Sequence, residues 1–163
     1  AMKRLLLIAC LFALPAVPAV AEEDFMAGLA AYDAGDYRRA RKIWRSLAEE
    51  GDVDAQTSLA GMYLMGSGVA RNFRLAAKWY RPAAEQGDAI AQLNLGDLYG
   101  RGLGVEKDLV RAWLWLSLAA AAEHDWAADR REVIAKSMTK AELDSARDML
   151  FRWSETHPEK PKR

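Results

Sequence analysis

The sequence predicts an all-α fold, a right-handed α/α solenoid of stacked antiparallel helix pairs. The main observation is an internal repeat at an offset of 36 residues, a length typical of helical arrays in which each unit covers the apolar face of its neighbour. Within each unit, apolar residues recur at helical spacing and a glycine-containing loop separates two helical segments. The residues repeated 36 positions later are Gly51, Asp52, Ala55, Gln56, Leu59, Tyr63, Gly66, Gly68, Val69, Ala76, Trp79, Ala83 and Ala84.

Residues 1–21 are expected to be a secretory signal peptide. Lys3-Arg4 precedes an apolar run over residues 5–14, and Ala19-Val20-Ala21 offers the small residues of a cleavage site. The run is shorter than the roughly 20 residues that span a bilayer. We therefore expect cleavage after Ala21 and an exported protein, periplasmic or secreted, with no transmembrane anchor.

Cys10 is the only cysteine, and Leu7-Ile8-Ala9-Cys10 is spelled like a lipoprotein cleavage box. The apolar stretch before it is shorter than an ordinary signal core and continues past it, so we expect Cys10 to be lost with the signal rather than lipidated. The remaining chain would then have no disulfide, cysteine nucleophile or thiolate metal site. Its charge is nearly balanced, which argues against a nucleic-acid partner.

The helix pairs follow in chain order. Residues 22–51 are an atypical first unit whose glycine loop is shortened, and residues 52–87 and 88–123 are two full repeats. In the first full repeat, helices are predicted over 54–65 and 73–86. The glycines between them are expected to end one helix and permit a tight reversal.

A last pair of helices, without the glycine loop, is predicted over 124–154 as a C-terminal capping hairpin. Thr139 and Glu142 have the spacing of a capping box, which places the start of the final helix. Residues 155–163, rich in proline and basic residues, are expected to be a disordered tail. Pro82 lies inside a predicted helix and is expected to bend it.

These patterns resemble the Sel1-like repeat family, which is related to the tetratricopeptide repeats. The resemblance rests on residues 91–105, followed by Asp108, Ala112, Trp115 and Ala119-Ala120, with a second copy over 55–84. The first unit, through Gly28, Tyr37, Ala40 and Trp44, looks more like a tetratricopeptide repeat. The resemblance implies protein–protein roles in envelope assembly, exopolysaccharide regulation or signalling.

Residue types that support catalysis are scarce, and we predict no catalytic residue, cofactor or metal site. His124 and His157 are the only histidines, and neither has a metal-ligand spacing. Ser137-Met138-Thr139-Lys140 spells the Ser-x-x-Lys of penicillin-recognising enzymes, but a helix break at Thr139 should separate the two groups and the partner motifs are absent. The glycine loops follow helices rather than strands, so they are not dinucleotide-binding loops.

The leading interpretation is a non-enzymatic binding module that holds an envelope protein or peptide in a groove lined by the first helix of each pair. The alternatives are an accessory protein or enzyme acting on polysaccharide or peptidoglycan, and a structural subunit of an envelope assembly. The candidate groove residues, chosen because they repeat at near-helical spacing, are Ser58, Met62, Met65, Asn94, Asp97 and Arg101.

A basic patch is predicted on the second helix of the first unit. It either contacts an anionic polysaccharide or lipid surface, or is a solvated face balanced by Glu49 and Glu50. Its residues are Arg38, Arg39, Arg41, Lys42 and Arg45.

Overall fold

The structure is a computed structural model, and it describes residues 20–122 and 125–158. The described residues form eight α-helices in antiparallel pairs that follow one another along the chain. We call the first member of each pair a first helix and the other a second helix. The helices are α1 (Val20–Asp33), α2 (Tyr37–Glu49), α3 (Val53–Met65), α4 (Phe73–Glu85), α5 (Ala89–Arg101), α6 (Leu109–Ala121), α7 (Asp125–Lys136) and α8 (Lys140–Thr156).

The all-α fold and its helix pairs are confirmed, and the helices that were predicted with bounds lie within three residues of them. The residues 1–19, which contain Cys10 and nearly all of the predicted signal, lie outside the described residues, as do His124 and residues 159–163. The prediction that Pro82 bends its helix stays a prediction; α4 continues for three residues beyond it.

Each repeat starts both of its helices with the same device. Asp52 and Asp88 are the N-caps of α3 and α5, and each carboxylate accepts a hydrogen bond of 2.7 Å from the backbone N–H three residues later. Asn72 and Asp108 do the same for α4 and α6. Because such a cap satisfies an otherwise unpaired N–H, the recurrence of Asp and Asn at these positions fixes the helix starts.

The glycine loops fasten each unit to the one before it. Gly102 ends α5 in the left-handed conformation, with φ of 66°, as predicted. Gly104, also at positive φ, lies directly against the first turn of α4 in the preceding unit, where a Cβ atom would come within 2.3 Å of the backbone of Phe73 and Arg74. Gly68 lies in the same way against Tyr37 at the start of α2.

Two buried clusters join into one continuous core. One is centred on α1, α2 and α3 and contains Trp44 and Leu59, and the other extends from α3 to α6 and contains Leu95 and Trp115. Tyr63 and Trp79 contact both clusters. No unit therefore buries its apolar face alone, as expected for stacked repeats.

Buried glutamines add a polar tie at two junctions between units. Gln56 donates a hydrogen bond of 3.1 Å to the carbonyl of Ala48 at the end of α2, and Gln92 donates the equivalent bond to Ala84 at the end of α4. Gln56 also accepts a hydrogen bond from Gln86. Each of these carbonyls also accepts the backbone N–H of the glycine three residues later, so the glutamine adds a second hydrogen bond that ties one unit to the end of the preceding one, which explains why the Ala-Gln pair repeats.

The last two helices both pack against α6. Trp153 of α8 lies edge-on to Trp115 of α6, with ring centroids 5.1 Å apart, and the predicted capping box of Thr139 and Glu142 is present. The hydrogen bond from the Thr139 backbone lowers the pKa of Glu142. The predicted boundary at residue 154 is wrong by two residues: Glu155 and Thr156 belong to α8, and the His157 ring stacks on Trp153 at the helix end.

Candidate functional site

Large apolar side chains are exposed mainly on the first helices. Of the described residues, the large hydrophobic side chains that face solvent are Met26 on α1, Met65 on α3, Ile90 on α5, Trp126 and Val133 on α7, and Phe151 on α8. The second helices α2, α4 and α6 contribute none of them. An apolar set concentrated on one row of helices is typical of a surface that contacts another protein.

The predicted groove residues do not all lie on this surface. Met65 is 74% exposed, and Arg101 is exposed as well. The prediction that Met62 lines the groove is wrong. Met62 is only 1% exposed, because it points into the cluster formed by α1, α2 and α3. Ser58 and Asn94 are half-buried, and Asn94 donates a hydrogen bond to the Ile90 carbonyl of its own helix.

Asp97 and Arg101 line a cleft between α5 and α7. Its volume is about 330 Å³, and Gly100 forms part of its α5 wall. A Cβ atom on Gly100 would lie 2.8 Å from the side chain of Ile134, so the absence of a side chain on Gly100 leaves room for Ile134 of α7. The remaining lining residues come from α7 and are Arg130, Val133 and Ile134.

The polar and apolar parts of the cleft are separate. Asp97 and Arg130 form a hydrogen-bonded ion pair across it, which occupies both charges. Val133 is 64% exposed and supplies an apolar wall. Arg101 forms no ion pair within the described residues. The cleft can thus hold an apolar side chain next to a carboxylate that pairs with Arg101.

The sequence pattern did not point to Arg130, Val133 and Ile134. They belong to the last helix pair, which lacks the glycine loop and the 36-residue correspondence used to find the groove. The available signal was the apolar pair Val133 and Ile134, one helical turn after Arg130, but nothing in the sequence placed α7 beside α5.

The predicted basic patch is a surface of α2 rather than an enclosed cavity, because its lining comes from one helix and its N-cap. Arg38, Lys42 and Arg45 are exposed and lie on one side of the helix at spacings of four and three residues. Arg45 donates a hydrogen bond of 2.9 Å to Glu49, which raises the pKa of its guanidinium. Among the described residues, Glu49 therefore neutralises part of the positive charge of the patch, but it pairs with one of the five basic residues.

A second cationic cleft lies between α4 and the loop that precedes α6. Its volume is about 420 Å³, and Tyr99 lies in its lining. Arg81 donates a hydrogen bond of 2.8 Å to the Tyr99 hydroxyl, and the guanidinium groups of Arg81 and Arg111 lie 5.9 and 5.6 Å from the centre of the Tyr99 ring. Lys107 adds a third cation, whereas Glu106 and Asp108 supply negative charge.

The described residues hold no cluster of three or more histidine, cysteine or acidic side chains that could bind a metal ion. Ser137 lies between α7 and α8 and Lys140 begins α8, with the N-cap Thr139 between them, so the predicted break in the Ser-x-x-Lys segment is confirmed. Over the same part of the chain, no helix is both long and apolar enough to cross a membrane.

Stacked antiparallel helix pairs, joined through glycine loops and a shared core, define a helical repeat protein. Sel1 repeats match at residues 25–52, 53–88 and 89–124, and the chain belongs to the Sel1 repeat family. The first match includes the unit that resembled a tetratricopeptide repeat in sequence. No curated protein matches the chain.

Two solved structures are similar to this one. The first is c5321, a protective antigen present in uropathogenic Escherichia coli strains that displays the SLR fold, with a TM-score of 0.78 and 31% identity over 84% of this chain. The chain spans only 30% of that protein's length. The second is a Sel1 repeat protein from Oxalobacter formigenes, with a TM-score of 0.64 and 32% identity, covering 69% of this chain and 88% of the other.

Proposed function

We propose that this chain is a non-enzymatic, exported adaptor or regulator that holds a segment of an envelope protein. The segment would lie on the surface formed by the first helices α1, α3, α5 and α7, which we call the first-helix face. The observation that carries the proposal is the distribution of exposed large apolar side chains: five lie on α1, α3, α5 and α7 and one, Phe151, lies on α8, whereas α2, α4 and α6 carry none among the described residues. Sel1 repeat proteins typically serve as protein-binding modules, which supports the same interpretation.

The cleft between α5 and α7 supplies the anchor point of this surface. Val133 and Ile134 offer apolar contact, and Arg101 at the edge offers a charge-assisted hydrogen bond. Interfaces of this kind depend on a few well-packed anchor residues surrounded by contacts that contribute little. The expected partner segment therefore presents an apolar side chain close to an aspartate, a glutamate or a carboxyl terminus.

The test uses peptides selected from a random display library for binding to the purified protein. Val133→Asp places a charge in the cleft and should weaken binding of the selected peptides at least about tenfold, the effect of losing one anchor residue. Phe151→Asp is a matched control, since Phe151 is 63% exposed on α8 and Val133 is 64% exposed on α7. The control should leave binding unchanged, and both variants should keep the melting temperature within a few degrees.

Alanine at Asn94 and at Arg101 tests the predicted groove residues in the same assay. Arg101→Ala should weaken binding without lowering the melting temperature, because Arg101 is exposed. The proposal is wrong if no peptide is selected, if the Val133 and Phe151 variants bind equally well, or if binding is lost only together with folding.

A further inference from the structure

The basic residues of the second helices repeat with the same 36-residue offset as the core. Arg38 and Arg74, Lys42 and Lys78, and Arg45 and Arg81 occupy equivalent positions on α2 and α4, and all six are exposed. In the loops, Arg71 and Lys107 correspond in the same way. None of these side chains is buried, although Arg81 donates a hydrogen bond to the Tyr99 hydroxyl and Lys78 lies over the Trp79 ring. We call the set formed by Arg38, Lys42, Arg45, Arg71, Arg74, Lys78, Arg81, Lys107 and Arg111 the basic track.

The structure joins these residues across the junctions between units. Arg81 of α4 meets Lys107 and Arg111 of the next unit in the cleft around Tyr99. At the preceding junction, the equivalent positions are held by Arg45 on α2 and Tyr63 on α3. The C-terminal ends of α2 and α4 also touch, since Gln86 donates a hydrogen bond to the Gly51 carbonyl. The track therefore continues from α2 to α6.

Much of the positive charge on the track is not neutralised. Glu49 pairs with Arg45, and Asp108 approaches Arg111 at 3.5 Å. Within the described residues, Arg38, Lys42, Arg74 and Lys78 form no ion pair. Because the formal net charge of the whole chain is zero, this excess of positive charge is local to the track. A local excess of this kind attracts anionic ligands.

We propose that the basic track binds an extended acidic polysaccharide of the uronic-acid class, on a face separate from the protein-binding surface. Arginine matches a sugar carboxylate because its planar guanidinium can donate two parallel hydrogen bonds to the two oxygens. Along one helix, basic residues four positions apart are separated by about 6 Å, which lets a linear polyanion meet several of them. At the junction around Tyr99, a residue that is only 3% exposed, Arg81 donates a hydrogen bond to the phenol oxygen, which holds its guanidinium in place.

Two other anionic ligands fit the observations less well. A membrane surface is usually engaged by apolar side chains as well as charges, and α2, α4 and α6 expose no large hydrophobic residue in the described part of the chain. Single-stranded nucleic acid is held by stacking on exposed aromatic rings, but Phe73 and Trp79 are half-buried in the core. Binding of a carboxylate polymer requires neither exposed apolar side chains nor exposed aromatic rings.

The experiment measures binding of the purified protein to polygalacturonate, with neutral dextran as the polymer control. The track variant carries Arg38→Gln, Lys42→Gln, Arg74→Gln and Lys78→Gln. The matched variant removes the same charge from the last helix pair, through Lys136→Gln, Lys140→Gln, Arg147→Gln and Arg152→Gln. All eight residues are exposed, so neither variant should alter the helical circular dichroism spectrum.

We expect the protein to bind polygalacturonate but not dextran, with affinity that falls between about 50 mM and about 200 mM salt, as for other polyanions. The track variant should lose about tenfold or more in affinity and have a shallower salt dependence, and the matched variant should lose less than about twofold. The proposal is overturned by no binding at low salt, by equal losses in both variants, or by tighter binding to vesicles of phosphatidylglycerol or to single-stranded DNA. Val133→Asp should leave binding to polygalacturonate unchanged. The outcome of this experiment is therefore independent of the outcome of the peptide test.

Discussion

Replacement of Gly104 by alanine should destabilise the protein by breaking the contact between two repeats. The new Cβ atom would lie 2.3 Å from the backbone nitrogen of Arg74 and the carbonyl carbon of Phe73. Neither atom belongs to a flexible side chain, so the loop or the start of α4 must move. The φ angle of 70° adds strain, because residues with a side chain rarely adopt that conformation.

The expected cost has two parts that a control can separate. An alanine in the left-handed conformation costs about 1–2 kcal/mol, and a steric overlap in a packed region adds about 1–3 kcal/mol. Gly35 has a similar φ of 78°, but nothing lies within 4 Å of the position of its Cβ. Gly35→Ala should therefore lose about 1–2 kcal/mol of unfolding free energy. For Gly104→Ala the expected loss is about 2–5 kcal/mol.

Urea unfolding followed by tryptophan fluorescence and by circular dichroism measures both losses, since the chain has six tryptophans. A loss for Gly104→Ala that exceeds the loss for Gly35→Ala by more than about 1 kcal/mol supports the inter-unit contact. Equal losses within about 0.5 kcal/mol would refute the reasoning.

Two further predictions concern buried polar groups. Gln56→Leu should cost about 0.5–1.5 kcal/mol, and more than Gln92→Leu, because it removes one donor to the Ala48 carbonyl and one acceptor of Gln86, whereas Gln92 serves only the Ala84 carbonyl and its own oxygen has no partner among the described residues; equal urea midpoints would contradict this. Burial raises the pKa of Tyr80 well above its usual value of 10, so the folded state keeps this proton more strongly than the unfolded state does. Its contribution to stability is therefore present below about pH 10 and is lost as the pH rises above that value. Tyr80→Phe should lose less stability than wild type between about pH 9 and about pH 11 in urea titrations; parallel losses would show that burial does not raise the pKa of Tyr80.

The repeat offset and the helix spacing were sufficient to predict the fold, because the same residues cap, pack and end the helices in each unit. The recurrence of Gln56 as Gln92 and of Gly68 as Gly104 was visible in the sequence, but their roles were not. Both act across a junction between units. Gln56 and Gly104 meet backbone groups there and Gly68 meets the Tyr37 side chain, and the positions of these groups depend on the stacked arrangement.

The candidate site was predicted in part. Asp97 and Arg101 lie in the cleft between α5 and α7, which the sequence did not predict, and their role in a partner-binding groove stays a prediction, whereas Met62 is buried in the cluster formed by α1, α2 and α3. The α7 wall with Val133 was missed, since side chains that meet only through tertiary packing leave no repeat in the sequence. The basic patch was recognised on α2, but its continuation onto α4 was not, although Arg74, Lys78 and Arg81 repeat it.

The most direct test of the account is photo-crosslinking in cells, with a photoreactive amino acid in place of Val133 or, in a separate strain, of Phe151. Both positions are exposed to nearly the same extent, so solvent access does not distinguish them. Binding on the first-helix face predicts a discrete protein adduct from position 133, identified by mass spectrometry, that is absent at position 151 and disappears when Arg101 is changed to alanine. The same adducts at both positions, or no adduct at position 133, would contradict it.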